Sequence, residues 1–199
     1  MKKRALTEAD VRESARGGRS LAVPEHTVVT PAARDLARQL GVSLEGSPAK
    51  APARRTVAVG ADHGGFPMKE QLKPLLEELG FAVLDLGTGS TAPVDYPDFA
   101  IAVARAVSGG QAWRGIMVDG AGIGSAMAAN KVPGVRAALC YDLTTAANAR
   151  EHNDANVLTL GGTLIGSRLA ADIVRTFLAT AFGSGRHQQR VDKINALDR

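Results

Sequence analysis

The sequence contains one cysteine, Cys140, among its 199 residues. A single cysteine forms neither an internal disulfide nor a cysteine-rich zinc site, so a disulfide scaffold and a zinc ribbon are excluded. Aromatic residues are few, with five Phe, two Tyr and one Trp. No apolar run is long enough to span a bilayer, and the charged stretch from Ala5 to Arg19 is unlike a signal peptide. We therefore expect a cytoplasmic protein without membrane contact.

The net charge of +4 does not indicate nucleic-acid binding, because the positive charge is unevenly distributed. Residues 1–55 contain 11 basic and 6 acidic side chains, whereas residues 56–199 contain 13 and 14. The longer part also lacks the interleaved basic and aromatic residues that bind phosphate backbones and stack bases. We expect no nucleic-acid partner.

The chain is predicted to consist of an N-terminal extension, 1–46, a linker, 47–55, and a larger domain, 56–199. The linker contains prolines, small residues and positive charge but nothing to bury. In the extension, Thr7 to Asp10 has the form of a capping box that opens a short helix. Thr30 and a first-turn proline open a second helix, which Gly41 ends. We expect the apolar face of this second helix to dock onto another surface, since the extension is too small for much of a core.

In the larger domain, short β-rich apolar runs alternate with helical periods. The five runs are 56–60, 81–86, 115–118, 135–140 and 157–160. This alternation predicts an α/β, doubly wound (Rossmann-like) fold with a five-stranded parallel sheet and flanking helices. Ligands bind such sheets at the carboxyl ends of the strands.

A glycine loop, Asp119 to Ser125, follows the third predicted strand and opens a helix. Glycines there let backbone N–H groups approach an anion closely. A dinucleotide-binding loop is one alternative, but Ser125 stands where its third glycine would fall and such loops normally follow the first strand. A tight turn without any ligand is the other alternative.

Together with its neighbours, this loop resembles the signature of the ribose-5-phosphate isomerase B and galactose-6-phosphate isomerase family. The resemblance runs from about Thr56 to Asp192. The matching stretches are 60–66, 95–97, 122–124, 128–131, 134–137, 150–156 and 185–190. The family implies a homodimer or tetramer whose active site is shared between subunits. It also implies isomerisation of a sugar phosphate through an enediol, with no metal or organic cofactor.

The resemblance assigns roles to individual residues. His152 would open the sugar ring, while Arg186 and Arg190 would hold the phosphate of the neighbouring subunit's substrate. The other substrate-binding positions are Asp62, His63, Tyr96, Gly120, Ala121, Gly122, Ile123, Gly124 and Asn153. From the residues alone, His152 could be a helix-end histidine and Asp62 a helix cap. The arginine pair could equally be a solvated helix face.

The sequence departs from the family at the base that transfers the proton. Asp119 stands in place of the usual cysteine, and Ala121 in place of a Thr or Ser. Ser125 occupies the position of a glutamate in another subgroup, and Thr163 replaces a common arginine. An aspartate can still act as base, although its reference pKa of ~3.9 lies well below that of a thiol at ~8.5. We therefore predict Asp119 as the catalytic base.

The predicted activity is aldose–ketose isomerisation of a phosphorylated sugar, with ribose 5-phosphate as the default substrate. A tetrose or hexose phosphate, or a catalytically silent sugar-phosphate-binding protein, are the alternatives. Residues 5–44 are similar to short extensions on enzymes of bacterial microcompartments, which implies docking on a shell protein. The alternative is that this segment folds back on its own enzyme.

Overall fold

The structure is a computed structural model that describes residues 5–17, 20–24, 27–46 and 54–198. The chain divides into two compact units between Ala53 and Arg54. Most of the predicted linker, residues 47–53, lies outside the described residues.

The described residues of the first unit form two helices and four short strands. They are β1 (Ala5–Leu6), α1 (Glu8–Gly17), β2 (Ser20–Val23), β3 (Val28–Val29), α2 (Pro31–Leu40) and β4 (Ser43–Gly46). Both helices begin as predicted. The Thr7 hydroxyl donates to Asp10 Oδ2 (2.8 Å), and Thr30 Oγ1 accepts from Ala33 N (3.2 Å). Gly41 ends α2 in the left-handed conformation that glycine adopts without strain.

The four strands of this unit were not predicted. β1 pairs in parallel with β3, and β2 with β4. Both pairings join residues 23 positions apart, as in Ala5 with Val28 and Ser20 with Ser43, so the unit is a tandem repeat of one β-α-β element.

The expectation that the apolar face of α2 docks onto another surface is wrong for most of that face. Ala33, Leu36 and Ala37 are buried in a small core inside the unit. Leu6, Val11 and Val42 complete this core. The four strands supply apolar side chains that cover this face of α2. Leu40 is the residue of the face that stays exposed, at 43%.

The second unit confirms the predicted α/β fold with a five-stranded parallel sheet. Its strands are β5 (Thr56–Ala61), β6 (Ala82–Asp85), β7 (Arg114–Asp119), β8 (Ala137–Leu139) and β9 (Val157–Gly161). Its helices are α3 (Phe66–Glu78), α4 (Tyr96–Ser108), α5 (Ile123–Ala129), α6 (Leu143–Glu151), α7 (Ser167–Ala179) and α8 (Gln188–Asn195). The strand order is β6-β5-β7-β9-β8.

Helices cover both faces of the sheet. Alternate residues of each buried strand point to opposite sides, so each strand packs against helices on both faces. Val57, Val59 and Ile116 pack against α3, α6 and α7 on one face, whereas Ala58 and Val157 pack against α4 and α5 on the other. Among the helices of the described residues, none has the length and apolar character needed to cross a membrane.

Candidate active site

Three loops meet at the carboxyl edge of the sheet, the edge where β5, β7 and β9 end. A Cβ added to Gly162 would lie 3.1 Å from Gly65 Cα, and one added to Gly161 would lie 2.9 Å from the Ala121 carbonyl oxygen. A Cβ at Gly161 would clash with backbone, and one at Gly162 would have to displace its neighbours by a few tenths of an ångström. Glycines therefore allow the backbones of the three loops to touch.

Asp119, the predicted base, ends β7 and directs its carboxylate into the glycine loop. Its Oδ1 accepts from Ala121 N (2.9 Å) and from Gly122 N, and its Oδ2 accepts from Ser125 N (3.1 Å) and Ser125 Oγ. The side chain is buried, at 4% exposure. Four donors therefore engage both oxygens, and the carboxylate ties Ala121, Gly122 and Ser125 to the end of β7.

Three hydroxyl groups donate to backbone carbonyls of the glycine loop. Thr159 Oγ1 donates to Gly122 O (2.9 Å), Tyr141 Oη to Ala121 O (2.7 Å) and Thr163 Oγ1 to Gly120 O (2.7 Å). The sequence pattern assigned none of them this role, although Thr163 replaces a common arginine of the family. The three hydroxyl groups therefore bind carbonyl groups of the loop, whereas Asp119 binds N–H groups of the loop. Both sets of hydrogen bonds fix the loop's conformation.

Asp62, His63 and Tyr96 lie at the same edge as the loop. Asp62 follows β5, and its Oδ1 accepts from Gly65 N (2.8 Å). His63 Nδ1 lies 3.2 Å from Val94 O, to which it donates in one of its tautomers. The Tyr96 ring covers Gly124, where an added Cβ would lie 2.6 Å from its hydroxyl oxygen. The structure thus brings these three predicted residues together with the glycine loop.

A buried lysine that sequence reasoning missed also supports this edge. Lys69 is 1% exposed and donates to Asp85 Oδ1 (2.6 Å) and to Thr88 O (2.8 Å). Thr88 N in turn donates to Ala61 O (2.7 Å), directly before Asp62. Burial alone would raise the pKa of Asp85, but hydrogen bonds from Lys69 and Lys73 outweigh it and lower that pKa.

His152 lies at the opposite, amino edge of the sheet. It caps the carboxyl end of α6, which runs antiparallel to the strands because it connects the end of β8 to the start of β9. Two residues on, Asp154 lies 3.8 Å from Arg114 at the start of β7. Asn148 Nδ2 lies 2.8 Å from His152 Nδ1, to which it donates in the tautomer that carries its ring proton on Nε2.

The predicted phosphate arginines lie on the same side as His152. Arg186 is in a 3-10 turn, Gly185–His187, and Arg190 is in α8. His187 between them stacks on His152 with ring centroids 4.2 Å apart. Both arginines are exposed, and neither has an acidic partner among the described residues. Burial, followed by the neighbouring His152 and the two arginines, lowers the pKa of His187.

Asn153 is exposed and lines a groove of about 360 Å³ beside the edge strand β8. Other lining residues are Ala138, Leu139, Thr145 and Asn148. The groove also reaches Cys140, whose thiol is buried, and this burial raises its pKa to about 11. Asn153 therefore belongs with His152 and not with the glycine loop.

The candidate site residues thus form two groups. A carboxyl-edge group comprises Asp62, His63, Tyr96, Asp119 and the glycine loop, and an amino-edge group comprises His152, Asn153, Arg186 and Arg190. From Gly115 to Asp119, β7 alone separates the edges by roughly 13 Å at 3.3 Å per residue. One subunit does not place both groups around one small ligand.

Comparison with known proteins assigns the chain to a family. The family model described as Ribose/Galactose Isomerase matches residues 57–194. Ribose-5-phosphate isomerase B of Escherichia coli is 43% identical over 144 residues, which cover 72% of this chain and 97% of the relative. Type B ribose 5-phosphate isomerase of Trypanosoma brucei is 49% identical, with a TM-score of 0.71 and coverage of 73% and 99%. That of Clostridium thermocellum is 47% identical, with a TM-score of 0.71 and coverage of 71% and 96%. The chain therefore belongs to the ribose/galactose isomerase family of enzymes.

Proposed function

We propose that the protein interconverts an aldose phosphate and a ketose phosphate, with ribose 5-phosphate and ribulose 5-phosphate as the first pair to test. The observation that carries this proposal is the carboxyl-edge group, where loops after β5, β7 and β9 converge in a family member. The names of the E. coli, T. brucei and C. thermocellum relatives support the pentose phosphate as substrate.

We infer that the active site is assembled from two copies of the chain. The carboxyl-edge group of one subunit would receive His152, Asn153, Arg186 and Arg190 from its partner. Exposed apolar side chains surround the glycine loop, as an interface between copies requires. They are Ile123, Met127, Tyr141, Leu143 and Leu164, exposed by 37–64%. A dimer, or a dimer of dimers, satisfies this requirement.

The residues divide the reaction between them. With Nε2–H directed at the ring oxygen, the imidazolium form of His152 would protonate that oxygen as the ring opens and would become the neutral ring. Arg186 and Arg190, free of acidic partners among the described residues, would bind the dianionic phosphate. Backbone N–H groups of the glycine loop that do not donate to Asp119, those of Gly120, Ile123 and Gly124, would stabilise the enediolate. Two carboxylates at the carboxyl edge, Asp119 and Asp62, are the candidates for the base.

Proton NMR in deuterated water tests this function in one tube. Purified protein with ribose 5-phosphate should form the ketose and lose the C2 proton signal of the aldose. If neither occurs, tetrose and hexose phosphates are the next substrates. Absence of exchange across that panel, with sugar phosphate still bound, would contradict isomerisation and favour a silent binding protein.

For residues 1–46 we propose docking onto a partner protein, such as a microcompartment shell protein. Since the apolar face of α2 is mostly buried inside the unit, docking would use the outer surfaces of its helices. A carrier protein fused to residues 1–46 should co-sediment with the shell protein. A matched carrier without the fusion should stay in solution, and equal behaviour of the two would contradict docking.

A further inference from the structure

The two carboxylates of the carboxyl edge differ in how their oxygens are used. Asp119 has both oxygens engaged by four donors of its own loop. The Asp62 carboxylate has one hydrogen bond among the described residues, from Gly65 N to Oδ1 (2.8 Å). Hydrogen bonds to a carboxylate stabilise its charged form and occupy the lone pairs that a base must offer. Asp62 is therefore the freer acceptor.

The second oxygen of Asp62 has no hydrogen-bond partner among the described residues and is not fully buried. Although the residue is only 7% exposed, the described side-chain atoms that are fully buried without a partner are Arg114 Nε and His187 Nδ1, and Asp62 Oδ2 is not among them. An oxygen with no hydrogen-bond partner that is not fully buried retains access to solvent. It is thus available to a ligand at this edge.

Asp62 also lies beside the glycine loop. A Cβ added to Gly64 would lie 3.4 Å from Asp62 Oδ1 and 3.6 Å from Gly120 Cα, so the carboxylate and the loop flank the same space. Hydrogen bonds hold both the backbone and the side chain of Asp62. Asp62 N donates to Val118 O (3.1 Å), and Gly65 N donates to Oδ1. A base held rigidly at the end of β5 suits proton transfer.

Other groups at this edge are less suited to take a proton from carbon. His63 Nδ1 is within hydrogen-bonding distance of the backbone of Val94, and Ser125 Oγ donates to Asp119. The Cys140 thiol, at the end of β8, stays protonated near neutral pH because burial raises its pKa to about 11.

Resting on the proposed isomerase function, we propose that Asp62 is the base that transfers the proton and that Asp119 is a positioning residue for the glycine loop. The Asp62 carboxylate takes the C2 proton of the open-chain aldose phosphate. The C–H electron pair forms the C1–C2 double bond, and the carbonyl pair moves to O1, which gives an enediolate. The proton on O2 moves to O1 as the C2 carbonyl forms, and the electron pair of the double bond takes the Asp62 proton at C1. The product is the isomeric ketose phosphate.

Two substitutions separate the roles of the carboxylates. Asp62→Asn keeps an oxygen that can accept from Gly65 N but removes the base. It should lower turnover and C2 exchange by ~10²–10⁴-fold, with KM and melting temperature near wild type. Asp119→Asn turns an amide NH2 toward N–H or O–H donors, so it should lower the melting temperature and raise KM.

Asp142→Asn is the matched control. Asp142 follows β8 at the same edge, and its Oδ1 accepts from Thr145 N (2.7 Å), three residues on, as Asp62 Oδ1 accepts from Gly65 N. The control should retain wild-type turnover and exchange, because asparagine caps this turn equally well.

The variants are compared on the sugar phosphate that the wild-type protein turns over fastest. Wild-type turnover with an active Asp62→Asn variant would overturn the role of Asp62 and leave the isomerase function standing. Loss of exchange in Asp119→Asn at unchanged melting temperature and KM would make Asp119 the base. A wild-type protein that exchanges the C2 proton of no sugar phosphate would contradict both the function and the base.

Discussion

The two edges of the five-stranded sheet are built from different residues. At the carboxyl edge, glycines bring three loops into backbone contact, and a buried aspartate, Asp119, ties the central loop. At the amino edge, three arginines surround Asp154, with Arg136 Nη2 at 3.0 Å and Arg150 Nη1 at 2.8 Å. Burial, followed by repulsion from Arg150, lowers the pKa of the third, Arg114, to about 10. Backbone surfaces suit a small ligand held closely, whereas long side chains can reach a ligand of another subunit.

The largest effect is expected for a side chain placed between the loops of the carboxyl edge. In Gly65→Ala the new Cβ would overlap the carbonyl group of Val118. Because backbone cannot move aside as a side chain does, we expect a loss of about 3 kcal/mol in the free energy of unfolding. Gly120→Ala is the control, since no heavy atom lies within 4 Å of its Cβ. Equal urea midpoints for the two variants would contradict close backbone packing.

At the amino edge, we expect the removal of a buried charge to lower the free energy of unfolding. Arg150 is 3% exposed and donates to Asp154 Oδ1 (2.8 Å) and Ala155 O (2.5 Å). Arg150→Met preserves volume but removes both bonds, and we expect a loss of about 2 kcal/mol, since Arg136 still pairs with Asp154. Arg105→Met, at an exposed position of α4, should change stability by less than about 0.5 kcal/mol. Urea unfolding of both variants checks the difference.

A smaller, pH-dependent effect is expected from the stacked histidines of the amino edge. A histidine whose pKa is lowered on folding contributes stability that is present above its unfolded pKa, near 6.5, and is lost as the pH falls. The melting temperature should therefore decrease below about pH 6.5. In His187→Phe, which keeps a ring on His152, this decrease should be shallower. If the melting temperatures of wild type and variant depended on pH in the same way, His187 would not be the source of the decrease.

The smallest effect concerns Cys140, at the end of β8. Because burial raises the pKa of its thiol to about 11, iodoacetamide at pH 8 should leave folded protein unlabelled over hours. Labelling should become complete in denaturant. Rapid alkylation of the folded protein, measured by mass spectrometry, would show that this end of the strand opens.

The fold of the larger unit was predictable because apolar runs and helical periods extend over several residues. The strands of the first unit were missed because β1 and β3 have two residues each, too few for any period. Their existence depends on pairing across 23 positions, which a local pattern does not reveal.

The candidate site was predictable as a set of residues but not as an arrangement. The loop motifs identified the residues of the carboxyl edge. They did not predict the hydrogen bond from Ser125 to Asp119, because it joins residues six positions apart that meet only in the folded turn. The place of His152 was available from the order of elements, because a residue between a helix and the next parallel strand must lie at the amino edge. His152 belongs to a different edge from Asp119 for that reason.

Assembly of the site from two copies is tested most directly by mixing two inactive variants. Asp62→Asn damages only the carboxyl-edge group and His152→Ala only the amino-edge group. In a hybrid dimer one site carries both defects and the other carries none, so a 1:1 mixture after subunit exchange should regain about a quarter of wild-type turnover. No recovery, with hybrid dimers demonstrated by native mass spectrometry, would contradict a site shared between subunits.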